Sequence, residues 1–315
     1  MSDVFRYGFE FYSADERPSV ADMRWALVGA DPARPLTTGR FAATDGEDVP
    51  YRLWTAAAPR ALVLCLHGAC DYSGAFDDIG PAFAARGITA MAIDQRGFGA
   101  TASRGRWSSR HRMIRDAIES IAFLKLRFGA ALPVFILGES MGASLAVHTA
   151  ARAPHLELSG IVLSAPGAIS GLWRRLFGSL LARLLGFLFP RTGLVVERLS
   201  AWEFTPSAAI RLMGDPLVLR RVRPGMLAGL FSLANSAVAE AQHVHAPVLT
   251  MVGSREDVVR EACIARLHQS LGGEKQWAAI AGGPHLLLHW KHADHVLANV
   301  MAWMDARLTA EGHGV

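Results

Sequence analysis

The stretch Val134-Phe135-Ile136-Leu137-Gly138-Glu139-Ser140-Met141-Gly142-Ala143-Ser144-Leu145-Ala146-Val147 decides how the rest of the chain is read. Its first four residues are apolar without interruption, as in a strand buried on both faces. The residues after Gly142 read as a helix. Between them stands a serine with glycines two positions to either side. Gly-x-Ser-x-Gly at a strand-to-helix turn is the nucleophile-elbow pattern. The turn strains the serine's backbone, so its flanking positions must lack side chains for strand and helix to approach. The hydroxyl then projects beyond the sheet, near the positive end of the following helix.

Working outward, apolar runs alternate with helical patterns. Ala61–Leu66 reads as a buried strand, followed by a helix over 75–86 and a strand over Ile88–Ile93. Residues 110–128 carry Ile114, Ala117, Ile118, Ile121 and Leu124 on one helical face. A strand over 160–163 comes after the elbow helix. The pattern resumes with a strand over 247–252, a helix over 261–270, a strand over 276–280 and a final helix over 293–308. Helices between continuous apolar strands predict a mostly parallel sheet covered on both faces, with the active site outside the carboxyl ends of the strands. No internal repeat or low-complexity segment interrupts it.

The alternation breaks between about 168 and 241. On a helical wheel, Arg175, Ser179, Arg183 and Gly186 form one narrow stripe. Nearly everything around them from Leu172 to Pro190 is apolar, Arg174 excepted. That is too greasy for an ordinary surface helix. It fits either a helix buried against the sheet domain or a lid lining an acyl-chain site or a membrane interface. The expected division is an N-terminal extension (1–40), a core (41–167 and 242–315) and a helical lid (168–241). Leu172, Leu176 and Leu180 are the expected substrate-lining residues.

Composition narrows the function classes. The chain has 315 residues, 51% of them hydrophobic, and a formal charge of +4. Mean hydropathy is +0.23. No run reaches the ~18 uninterrupted apolar residues of a membrane-spanning helix. Residues 1–16 lack the basic start and apolar core of a signal peptide. The three cysteines, Cys65, Cys70 and Cys263, are an odd number without metal spacing, which suits a reducing cytoplasm. The arginines form no basic tract with interleaved aromatics, so nucleic acid is not an expected partner. The modest positive charge leaves room for peripheral contact with an anionic membrane surface.

A serine needs a base, an orienting acid and donors for the oxyanion. His285, in Gly282-Gly283-Pro284-His285, follows the last strand in a glycine-rich loop and is the expected base. The nearby His289, His292 and His295 have no acidic partner at metal-site spacing. The acid should follow the strand ending at Val252, where Glu256 and Asp257 stand side by side; sequence alone does not separate them. The Met141 amide is the first oxyanion donor. The second should come from the His67-Gly68-Ala69-Cys70-Asp71 loop, at Ala69. His67 itself reads as a brace for that loop. No metal or cofactor is required.

His67-Gly68-Ala69-Cys70-Asp71-Tyr72-Ser73-Gly74, Asp94-Gln95-Arg96-Gly97-Phe98-Gly99 and the elbow together resemble the α/β-hydrolases of the monoacylglycerol lipase and lysophospholipase family. Gly214-Asp215-Pro216-Leu217-Val218 is similar to a short motif that this family often carries before its last lid helix. The resemblance spans about 40–308. It implies Ser140 as nucleophile and His285 as base, and it puts the acid at Glu256, where the family usually has aspartate, or at Asp257 through a one-residue shift of register. Tyr72 and Phe98 stand where the family usually has histidine, and Trp290 where an acidic residue often follows the base. The implied activity is hydrolysis of esters with apolar acyl chains, such as monoacylglycerol or lysophospholipid, through an acyl-enzyme. The alternatives are a thioesterase, acyltransferase or aminopeptidase on the same triad, or a non-catalytic binding protein.

Overall fold

The computed structural model describes residues 36–169, 194–195, 203–310 and 312. Among these residues, eight strands form one sheet: β1 (Leu36–Ala42), β2 (Asp48–Trp54), β3 (Ala61–Leu66), β4 (Ile88–Ile93), β5 (Val134–Glu139), β6 (Gly160–Ser164), β9 (Val248–Gly253) and β10 (Lys275–Ile280). Their spatial order is β1-β2-β4-β3-β5-β6-β9-β10. Every pairing from β4 through β10 is parallel, while β1–β2 and β2–β4 are antiparallel. Two short strands, β7 (Leu194–Val195) and β8 (Arg221–Val222), pair with each other outside this sheet.

The continuous apolar runs are explained by which face each residue meets. Along β3, Leu62, Leu64 and Leu66 join one core, while Ala61, Val63 and Cys65 join the other. In β5, Val134 and Ile136 face the first core, Phe135 and Leu137 the second. The first core is closed by α2 (Arg110–Phe128), α3 (Met141–Arg152) and α6 (Glu261–Ser270); the second by α1 (Gly80–Ala85) and α7 (Ala293–Ala310). With both faces covered, strand positions have no polar side to display.

Two departures from the sequence reading have physical causes. Among the described residues the first strand covers Leu36–Ala42, so the expected boundary at residue 40 falls inside β1. That strand lies at the sheet edge and is mostly exposed, so it lacks the apolar run that marks the others. The helix expected over 75–86 is a 3-10 turn (Ser73–Phe76) followed by α1. Pro81, in the first turn of α1, has no N–H to continue an earlier helix but suits the start of a new one.

Of the stretch expected as a lid, the described part contains α4 (Pro206–Gly214), β8 and α5 (Pro224–Glu240). Helix α5 lies along core helix α3. His148 Nε2 is 3.1 Å from the Leu233 carbonyl oxygen, and Arg152 pairs with Glu240. The apolar stretch 172–190 and residues 1–35 lie outside the described residues. Among the described residues, no helix is long and apolar enough to cross a membrane.

Candidate active site

Ser140 sits between the end of β5 and the first residue of α3, with φ of 52°. A left-handed backbone at a non-glycine residue survives only where its surroundings impose it. Here the flanking glycines do so. A Cβ at Gly138 would overlap the backbone of Gly142 and Ala143, and one at Gly142 would overlap the Leu66 and His67 carbonyls. Strand β3, strand β5 and helix α3 therefore meet at a distance that no side chain permits.

His285 lies in the loop after β10, only 7% exposed. Its Nε2 is 2.9 Å from Ser140 Oγ. Its Nδ1 lies 2.9 and 2.8 Å from the two carboxylate oxygens of Glu256. A carboxylate only accepts, so Nδ1 carries the proton and Nε2 is left to accept from the serine hydroxyl. Glu256 belongs to the loop after β9. Its Oε1 also accepts the Val258 and Val259 backbone N–H groups, each at 2.9 Å. Burial disfavours this carboxylate, but the His285 bond and the two amides outweigh it and hold its pKa below the usual value. Asp257 is exposed. Partial burial and the adjacent Glu256 charge push its carboxyl above the ordinary range. Of the two neighbouring carboxylates, Glu256 is the one that reaches the imidazole.

The loop after β3 passes beside the serine: a Cβ on Gly68 would lie 3.6 Å from Ser140 Cβ. Ala69 follows, half-buried. Met141 opens α3, where first-turn N–H groups have no partner within the helix. His67 braces this loop. Its Nδ1 donates to the Gly68 carbonyl at 2.8 Å, and its Nε2 accepts the Gln95 N–H at 3.0 Å. Burial pushes its pKa down. The Asp-Gln-Arg-Gly motif is scaffolding. Gln95 Nε2 donates to the His67 carbonyl at 2.7 Å, Asp94 accepts the Ser73 and Ala100 amides at 2.9 and 2.7 Å, and Arg96 grips Asp116 with two bonds. Phe98 packs edge-on against His67, with ring centroids 5.5 Å apart.

Sequence reasoning missed a second set of buried groups beside the triad. Glu139, the residue before Ser140, is 1% exposed, as is His289. His289 Nε2 lies 2.8 Å from Glu139 Oε2. Arg211 of α4 approaches His289 Nδ1 at 3.2 Å and pairs with Asp71 through its other terminal nitrogen. The signal available was a glutamate inside the elbow and a histidine four residues after the base, with nothing to join them. Among the described residues, no group of three or more His, Cys, Asp or Glu is disposed to hold a metal ion. Leu172, Leu176 and Leu180 lie outside the described residues.

Sheet order, elbow and the loops that carry histidine and carboxylate define an α/β-hydrolase. The sequence profile of the family described as serine aminopeptidase, S33, matches residues 57–291, and the chain belongs to that family. It is 28% identical over 281 residues to the monoacylglycerol lipase of Mycolicibacterium smegmatis, covering 85% of this chain and 96% of that one. It is 25% identical over 284 residues to the monoglyceride lipase of Mus musculus, covering 86% and 91%. A soluble variant of monoglyceride lipase from Saccharomyces cerevisiae, solved with a substrate analogue, superposes with a TM-score of 0.71. That match has 19% identity and covers 87% of this chain and 95% of that one.

Proposed function

We propose that Ser140, His285 and Glu256 are the catalytic triad, with the Ala69 and Met141 amides as the oxyanion hole. The chain is a carboxylic ester hydrolase acting on small lipid-like molecules, as its family and relatives indicate. The observation that carries the triad is the unbroken path from Glu256 through His285 to Ser140 Oγ, with separations of 2.8 and 2.9 Å.

Ser140 attacks the ester carbonyl as its proton passes to His285 Nε2. Glu256 stabilises the imidazolium, and the two amides hold the oxyanion; one such donor is worth roughly 2.7–4 kcal/mol. The imidazolium then protonates the leaving alcohol, leaving an acyl-enzyme. Water, deprotonated by the same imidazole, releases the fatty acid and restores the serine.

The proposed substrate is an ester of an apolar acyl chain, of the monoacylglycerol or lysophospholipid kind. The division into a sheet core, with β1 included, and a cap (168–241) belongs to this reading. So do Leu172, Leu176 and Leu180 as acyl-chain contacts, on sequence alone, and peripheral membrane contact through the same apolar stretch. The test is hydrolysis of p-nitrophenyl esters from acetate to palmitate, beside monoacylglycerol, lysophosphatidylcholine and an aminoacyl p-nitroanilide, with Ser140→Ala as blank. Turnover that favours medium or long chains supports the reading. Turnover of the anilide alone would replace it with an aminopeptidase.

A further inference from the structure

The buried pair Glu139–His289 takes no part in the reaction just described, yet it is joined to both sides of the site. Glu139 Oε1 accepts the Leu288 N–H at 3.3 Å, which ties the nucleophile strand to the histidine loop. A guanidinium only donates, so His289 Nδ1 accepts from Arg211 at 3.2 Å and the ring proton is left on Nε2, which lies 2.8 Å from Glu139 Oε2. Arg211 thus fixes the tautomer of His289.

Arg211 also reaches the oxyanion loop, where three consecutive residues are each held by the segment around α4. The Cys70 carbonyl accepts the Leu219 N–H at 2.7 Å. The Asp71 carboxylate takes Arg211. The Tyr72 hydroxyl donates to Asp215 Oδ2 at 2.6 Å. Cys70 has φ of 70°, a left-handed backbone that relaxes unless held. Its neighbour Ala69 is the proposed oxyanion donor. Arg211 is therefore a side chain that bonds both the oxyanion loop and the histidine loop, and it stands on the cap rather than the core.

We propose that Arg211 is a positioning residue: by bonding Asp71 and His289 together, it locks the oxyanion loop and the histidine loop into register with each other through the cap. This rests on the serine-hydrolase reading above, and it adds that the cap helps to build the catalytic geometry as well as cover it.

The experiment uses the full chain, a soluble short-chain ester, and circular dichroism to establish folding. Wild type against Ser140→Ala reports on the hydrolase reading alone. Arg211→Ala is expected to lower kcat by about 10- to 100-fold with KM within about 3-fold, the scale of a small misplacement of reacting groups. Added methylguanidinium, which can refill the site, should restore part of the rate. Arg211→Lys keeps the charge for Asp71 but cannot bond both partners. It should fold even if Arg211→Ala does not, and should lose kcat by about 10-fold. If the ester is not turned over, the rate at which a fluorophosphonate labels Ser140 carries the same comparison. An unchanged kcat or labelling rate in either folded variant would overturn the proposal. So would a loss confined to KM, or one in Arg211→Ala that methylguanidinium does not relieve.

Discussion

The loop after β10 presents two histidines four residues apart, each against a buried glutamate, and the two pairs are put to different uses. Carboxylate and imidazole are 2.8 Å apart in both. What differs is the partner of the other ring nitrogen. His285 meets the Ser140 hydroxyl, which can surrender a proton. His289 meets the Arg211 guanidinium, which cannot. In the proposed mechanism the first pair therefore does chemistry, whereas the second, capped by a fixed charge, holds shape. A carboxylate beside a histidine says little about function until the far side of the ring is known.

This contrast can be broken from either end. Ser140→Ala should abolish ester turnover, by about a million-fold by analogy with removal of a serine-protease nucleophile, while the unfolding midpoint barely moves. Glu256→Gln keeps the shape but removes the charge that orients His285, and kcat should fall by about ten-thousand-fold. Asp257→Asn should change it less than about 3-fold, since Asp257 is exposed and it is Glu256 that bonds the imidazole. Comparable losses in the two variants would dissolve the distinction between these adjacent carboxylates. In the second pair, His289→Leu leaves a buried carboxylate and a buried guanidinium each short of a partner. Urea titration should register a loss of at least about 1–3 kcal/mol, the usual cost of leaving a buried polar group unsatisfied, and more where that group is charged.

A third histidine sharpens the comparison, because its ring bonds the Leu233 carbonyl and the Ser236 hydroxyl rather than a carboxylate. His148 is buried between α3 and α5, and desolvation lowers its pKa from 6.5 to about 4, although the Leu233 carbonyl works the other way. The unfolded chain binds a proton at His148 below pH 6.5 and the folded chain does not until about pH 4. Stability contributed by this site is thus complete above 6.5 and declines as the pH falls toward 4, by roughly 3 kcal/mol over the interval. His148→Gln, which keeps a donor for Leu233, should flatten that part of the stability-against-pH curve.

The sequence was most legible where structure is local. The elbow, the buried strands around it and the placement of His285 after the last strand follow from short patterns within a few residues. The choice between Glu256 and Asp257 is not local, since it depends on which way each side chain leaves the loop. The network behind the triad is less local still. Asp71 and Arg211 are 140 residues apart along the chain, and Arg211 and His289 are 78 apart. Nothing in the neighbourhood of Arg211, within an ordinary short helix, announces that its guanidinium is buried. Edge strand β1 escaped because its exposed residues carry no period that a buried face would impose.

The left-handed backbone at Ser140 has a thermal consequence. Such a conformation costs on the order of 1–3 kcal/mol and is retained only while its surroundings enforce it. The enforcement comes from the contact of Gly142 with the Leu66 and His67 carbonyls, in the middle of the sheet. The serine can therefore slacken only when β3 and α3 part, and that is unfolding of the core itself. On heating, esterase activity and near-ultraviolet dichroism should disappear together. The nucleophile would then serve as a built-in reporter of the intact sheet.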